Sequence, residues 1–157
     1  MSCVDKIVSI QDFLKHKQIL QDKKVVFTNG CFDIIHSGHV LYLEEASQLG
    51  DVLVLGLNSD SSVKRLKGES RPVNNQQDRA IVLSGLGSID FIIIFDEDTP
   101  YELIKQVKPN VLVKGGDWQV NEIVGSDIVL NHGGQVKSLS FKQGKSTTSI
   151  IQRIIES

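Results

Sequence analysis

Cysteine is nearly absent from this chain: Cys3 and Cys31 are the only two in 157 residues. Two thiols cannot build a disulfide framework, and no bridge between them is expected. An excess of charge of one sign is also missing. Seventeen basic and 19 acidic residues leave a formal net charge of -2, so no global field recruits nucleic acid or an anionic membrane. Any anionic ligand must be caught locally. No apolar run approaches the roughly 18 residues of a membrane span, and the N-terminus MSCVDKIVSI lacks the basic-then-apolar order of a secretory signal. A cytoplasmic protein is expected. Internal repeats and low-complexity tracts are lacking as well. What remains, at 40% hydrophobic content, suits one core and is too short for two full domains. The expectation is a single domain over 1–157, with residues 1–22 as an N-terminal helical extension.

Apolar runs recur at KVVFT (24–28), DVLVLGL (51–57), FIIIF (91–95), NVLVK (110–114) and QVKSLS (135–140). The first four are continuous rather than alternating, as in strands buried on both faces. Helical spacing lies between them. Residues 38–49 place Val40, Leu43, Ala46 and Leu49 at steps of three before Gly50. Residues 76–86 and 100–107 read likewise, the latter with Thr99 as cap and Pro100 at the first helical position. Further helices are expected over 9–20, where Ser9 and Asp12 have capping-box spacing, and from Ser146 or Thr147 to the end. Strand followed by helix predicts an α/β fold: one Rossmann-like domain with a parallel five-stranded sheet and helices on both faces. Its ligand belongs at the carboxyl ends of the strands. The stretch 58–75, polar and without apolar period, is the longest expected loop and suggests a functional flap.

One strand end concentrates reactive groups. TNGCFDIIHSGH (28–39) carries a thiol, a carboxylate and two imidazoles. Zinc ligation by His36 and His39 lacks the i, i+4 spacing of a helical pair and a second ligand cluster, so no protein-held metal is expected. A Cys31 nucleophile would need a base and a depressed pKa. An anion cradle uses more of the residues: a glycine between two imidazoles, at the first turn of a helix after a buried strand, brings N–H donors to the positive helix end. Gly144-Lys145-Ser146 imitates the end of a Walker A loop, but position 139 is Leu where that motif needs Gly.

His36-Ser37-Gly38-His39 resembles the H-x-G-H signature of the cytidylyltransferase-like nucleotidyltransferases, and Gly144-Lys145-Ser146-Thr147-Thr148 resembles their Ser-Thr-Thr block at the start of the final helix. Lys64 to Gly68, Ser70 to Asn74, Glu97 to Pro100 and Leu112 to Asp117 extend the likeness, which is to the adenylyltransferases of ADP-heptose synthesis. These occur free-standing or joined to a sugar kinase, and the free-standing form is expected here. The resemblance implies transfer of AMP from ATP to D-glycero-D-manno-heptose 1-phosphate with release of pyrophosphate, Mg²⁺ arriving with ATP, and a homodimer. Trp118 stands where the heptose enzymes often have Tyr and is similar to the aromatic of glycerol-3-phosphate cytidylyltransferases, the rival reading. A non-catalytic nucleotide sensor and a zinc-structured interaction module are the readings from other classes.

By the same resemblance His36 and His39 would donate to the phosphates, and Lys67 and Arg71 would neutralise them. Ser146, Thr147 and Thr148 would hold the β/γ end. Thr28, Asn29, Gly30, Cys31, Phe32 and Gly38 would form the nucleotide floor. Trp118 would stack on adenine, with Gly116 and Asp117 near base or ribose. Asp33, Asn58 and Asp60 are substrate-side candidates, though each can equally cap its own turn. Lys64 and Arg65 read as flap charges, and Arg79 as a phosphate contact or a surface residue.

Overall fold

The computed structural model describes residues 2–140 and 145–157. Gly144, part of the final block quoted above, lies outside the described residues. Five strands form one sheet: β1 (Val25–Gly30), β2 (Val52–Asn58), β3 (Phe91–Phe95), β4 (Val111–Gly115) and β5 (Gln135–Leu139). Every pairing is parallel and the order is β3-β2-β1-β4-β5. Among the described residues the helices are α1 (Ile10–Lys17), α2 (Ser37–Ser47), α3 (Asp60–Lys67), α4 (Gln76–Ser84), α5 (Tyr101–Val107), α6 (Ser126–Asn131) and α7 (Thr147–Glu156).

Alternation within wholly apolar strands explains the two layers. Every residue of β2 is buried. Leu53, Leu55 and Leu57 pack with Tyr42, Leu43 and Ala46 of α2 and with Ala80 and Leu83 of α4. Val52 and Val54 point the other way, to Phe13 of α1, Leu103, Ile104 and Val107 of α5, and Val129 of α6. Each such side chain contributes about 1.5–3 kcal/mol by leaving water. The expected α/β class therefore stands, and the strand-order switch falls between β1 and β4.

Three local expectations change. Residues 60–67 are helical, not loop: Ser59 caps α3 by accepting from the Ser62 N–H at 3.2 Å, and the buried face of α3 is Ser62 and Val63. Because a serine fills half of that face, no apolar period shows. Helix α5 begins one residue later than expected, with Pro100 at the N-cap and no capping side chain. On α2 the inward residues are Tyr42, Leu43 and Ala46, while Val40 is exposed. The short helix α6 and the 3-10 turn Val120–Glu122 carried too few residues for periodicity to reveal them.

Candidate active site

A cleft of about 410 Å³ opens at the carboxyl ends of β1, β2 and β4, the position that strand order dictates. Of the residues singled out from sequence, Asn29, Gly30, Cys31, Phe32 and Asp33 line it from the β1 side. Asn58, Lys67 and Arg71 close it from the β2 side, and His39 and Thr147 from the helix termini.

The two histidine rings are held by local hydrogen bonds from backbone N–H groups. His36 is the N-cap of α2, and its Nδ1 accepts from the Gly38 N–H at 3.1 Å. His39 Nδ1 accepts from the His36 N–H at 3.4 Å, and the rings stack with centroids 3.8 Å apart. An acceptor Nδ1 is deprotonated, so each neutral ring carries its proton on Nε2. Two outward N–H donors result. Burial pushes the His39 pKa down to about 4, with His36 and Lys67 adding repulsion; burial and then Lys145 lower that of His36. Both therefore act as uncharged donors at neutral pH. Gly38 is required by space: a Cβ there would stand 2.9 Å from His36 Nδ1 and 3.2 Å from Lys145 Cβ.

That second contact places the start of α7 beside the start of α2. Thr147 Oγ1 donates to the Ile34 carbonyl at 3.0 Å, and Ser146 caps α7 by accepting from the Ser149 N–H at 3.0 Å. Two positive helix ends thus converge, each favouring an anion. Ser146 and Thr148 are exposed at this corner. Lys145 joins the corner beside His36; it stood in the quoted final block and in the false Walker motif without being given a role.

Asp33 is buried and fully engaged. It accepts from Arg71 Nε at 2.8 Å, from the Val73 N–H at 2.8 Å and from the Asn74 N–H at 2.9 Å. Burial pushes its carboxyl up, yet the N–H donors of Asn74 and Val73 and the Arg71 guanidinium outweigh that and hold it low. Asp33 thereby ties the 70–75 segment to the β1 loop. Arg79 is neither a phosphate contact nor a surface residue. Its side chain is 1% exposed and donates to the carbonyls of Cys31, Asn58 and Asn74 and to Asp60 Oδ1 at 2.7–2.9 Å. Asp60 faces Arg79 rather than the cleft.

The remaining residues lie around this centre. Thr28 is buried and shares a 2.7 Å hydrogen bond with Tyr42, which lines the cleft. Burial pushes the Cys31 thiol up, so it stays protonated and is a poor nucleophile. Gly116 and Trp118 are tethered to Ser138 of β5; Trp118, half exposed, donates through Nε1 to the Gly115 carbonyl at 3.0 Å. Asp117 is exposed beside it. None of these three lines the cleft as it stands. Arg65 binds Asp98 at 2.7 Å, which fixes α3 to the loop before α5. Tyr42, Leu66, Asp98, Thr99, Pro100, Lys114, Gly115 and Val124 complete the lining; all but Tyr42 and Val124 stand in stretches quoted for the family likeness, yet none was singled out as a site residue, because only the fold brings β4 and the α5 loop to β1. No cluster of three His, Cys, Asp or Glu suited to an ion occurs among the described residues. Nor is any described helix long and apolar enough to cross a membrane.

Comparison with known proteins agrees with this geometry. The chain is 60% identical over 149 residues to the bifunctional protein HldE of Campylobacter concisus, covering 95% of this chain and 31% of the relative. It is 63% identical over 134 residues to that of Aliarcobacter butzleri, covering 85% and 27%. The chain spans about a third of the length of these curated relatives. Among solved structures, the lipopolysaccharide core biosynthesis protein of Thermoplasma volcanium superposes with a TM-score of 0.61 at 28% identity, over 78% of this chain and 99% of that one. Pantoate-beta-alanine ligase of Francisella tularensis shares the fold, with a TM-score of 0.61 at 16% identity over 96% of this chain and 78% of the ligase. The cytidylyltransferase-like family model matches residues 27–153. A match that spans most of the chain and takes in both histidines and Thr147 decides the assignment: this chain belongs to the cytidylyltransferase-like nucleotidyltransferases.

Proposed function

We propose that the chain transfers AMP from ATP to D-glycero-D-manno-heptose 1-phosphate, giving ADP-heptose and pyrophosphate. The observation that carries the transfer is the pair of neutral imidazoles whose tautomers are fixed by backbone N–H groups, set between two helix N-termini. The choice of adenine and heptose rests on the motif resemblance over residues 64–74, 97–100 and 112–117. The relation to a lipopolysaccharide core biosynthesis protein supports it.

The acceptor phosphate is anionic at neutral pH, so its oxygen attacks the α-phosphorus without a general base. One P–O bond forms, and the bond to the β-phosphate breaks with its electron pair leaving on pyrophosphate. The barrier is mainly alignment and charge. Nε2–H of His36 and His39 donate to oxygens that gain charge. Lys67, Arg71 and Lys145 offset the phosphates, and Thr147 with the α7 terminus receives the leaving end. Mg²⁺ enters as part of the ATP substrate, held by phosphate oxygens and water. Asp33, whose oxygens already accept three N–H groups, is not offered as its ligand.

Pyrophosphate release assayed with ATP or CTP against heptose 1-phosphate or glycerol 3-phosphate tests the reading. Turnover is expected with ATP and the heptose only. Turnover confined to CTP and glycerol 3-phosphate would replace it with the rival cytidylyltransferase, and nucleotide binding without any turnover would leave a sensor.

A further inference from the structure

The cleft has two unlike walls. Its α2/α7 wall presents His39 and Thr147 at two helix N-termini. The opposite wall is built from the end of β4, the loop before α5 and Val124. Strand parity separates them. Val111 and Val113 of β4 pack toward α2, whereas Leu112 packs toward α5, so Lys114 belongs to the α5 side. Continuing the register that pairs Phe27 with Leu112, Lys114 lies beside Asn29, at the switch in strand order.

Lys114 has no carboxylate partner among the described residues. The carboxylates that line the cleft are committed elsewhere, Asp33 to Arg71 and Asp98 to Arg65. The Lys114 ammonium is half-buried and rests 5.0 Å from the centroid of the Trp118 ring. Burial alone pushes its pKa down. A partly desolvated cation without a counter-charge, facing a cleft, favours an incoming anion. In-line transfer decides which anion. If the β- and γ-phosphates leave toward the α2/α7 wall, the entering oxygen must approach from the opposite side. Trp118 then serves as the platform under the ammonium rather than as a base-stacking surface.

We propose that Lys114 anchors the phosphate of the acceptor and brings its entering oxygen to the α-phosphorus from the β4/α5 wall. This inference rests on the reading that the acceptor is a sugar 1-phosphate.

The test uses the full chain with Lys114→Met, which keeps length and removes charge, and Lys114→Arg, which keeps charge. Pyrophosphate release is followed with ATP and heptose 1-phosphate varied separately. Lys114→Met is expected to raise the acceptor KM about 10- to 100-fold, the range for losing a hydrogen bond to a charged group, with the ATP KM within about twofold. Lys114→Arg should recover most of that loss. In parallel, an NMR titration of the lysine ammonium groups with heptose 1-phosphate, in the presence of α,β-methylene-ATP, should show the Lys114 pKa rising on binding. An acceptor KM that stays put, or a change falling on ATP instead, overturns the proposal while leaving the adenylyltransferase reading intact. A wild-type protein that turns over no sugar 1-phosphate overturns that reading, and this proposal with it.

Discussion

The segment after β1 and the segment after β2 both end in the cleft, but opposite means hold them in shape. Residues 36–39 are fixed by bonds that span two or three positions, Gly38 N–H to His36 and His36 N–H to His39. Residues 58–75 are fixed by bonds across the fold: Arg71, Val73 and Asn74 to Asp33, and Asn58 and Asp60 to Arg79. The first region carries its own geometry wherever the strand and helix meet. The second has geometry only when the β1 loop and α4 are already in place. Substitutions at the histidines of the first should cost mainly turnover, and at Arg79, the hub that holds the second, mainly folding.

The largest effect is expected at Arg79. Replacing it by Met leaves the buried Asn58 carbonyl, the part-buried carbonyls of Cys31 and Asn74 and the Asp60 carboxylate without their donor, a loss of about 3–5 kcal/mol. Thermal melting should fall by roughly 10 °C for a chain of this size. A melting point within two or three degrees of wild type would show that the 58–75 segment does not depend on this hub. His39→Ala is the converse. It should lower kcat by about 100- to 1000-fold, roughly 3–4 kcal/mol of transition-state stabilisation, with a much smaller change in melting. Equal losses of turnover and stability would erase the distinction between the two regions.

Asp33→Asn sharpens the comparison, since Asp33 sits in the first region and holds the second. The amide keeps the shape and loses the charge that faces Arg71. The amide nitrogen cannot accept, so at least one of the three N–H donors loses its acceptor, a cost of about 1–3 kcal/mol, and melting should fall by roughly 5 °C. Backbone amides of Val73 and Asn74 should exchange faster with solvent, while that of Gly38 should not. Faster exchange at Gly38 alone would place Asp33 in the local network instead.

These contrasts also explain what could be read from the chain. Sheet class, strand positions and the helix start at His36–His39 were legible because they depend on alternation, on continuous apolar runs and on bonds two or three residues long. Helix α3 was hidden by Ser62 on its inner face. Arg79 gave no sign of burial, because its partners Cys31, Asn58 and Asn74 offer main-chain carbonyls, which any residue supplies. Lys114 stood in a quoted motif, yet its isolation from carboxylates is a property of the β1–β4 seam and of ion pairs made elsewhere. Local chemistry leaves a pattern in sequence, whereas a bond to a distant carbonyl leaves none.

The smallest effect concerns protons. The His39 pKa is pushed down to about 4 by burial, then by His36 and Lys67, against about 6.5 in an unfolded chain. A group whose folded pKa is depressed adds stability that is fully present above the unfolded value. That stability is lost as pH falls through the folded one. His39 should therefore leave stability unchanged from pH 8 to 7 and erode it between about 6.5 and 4, as protonation removes the Nδ1 acceptor that holds the His36 N–H. NMR titration of the His39 ring in the ligand-free protein should give a midpoint near 4, with denaturant midpoints falling over the same interval in wild type and less steeply in His39→Gln. A His39 midpoint near 6.5 would mean that the local hydrogen bonds do not lock the imidazole neutral, and the cradle would then work by charge rather than by fixed N–H donors.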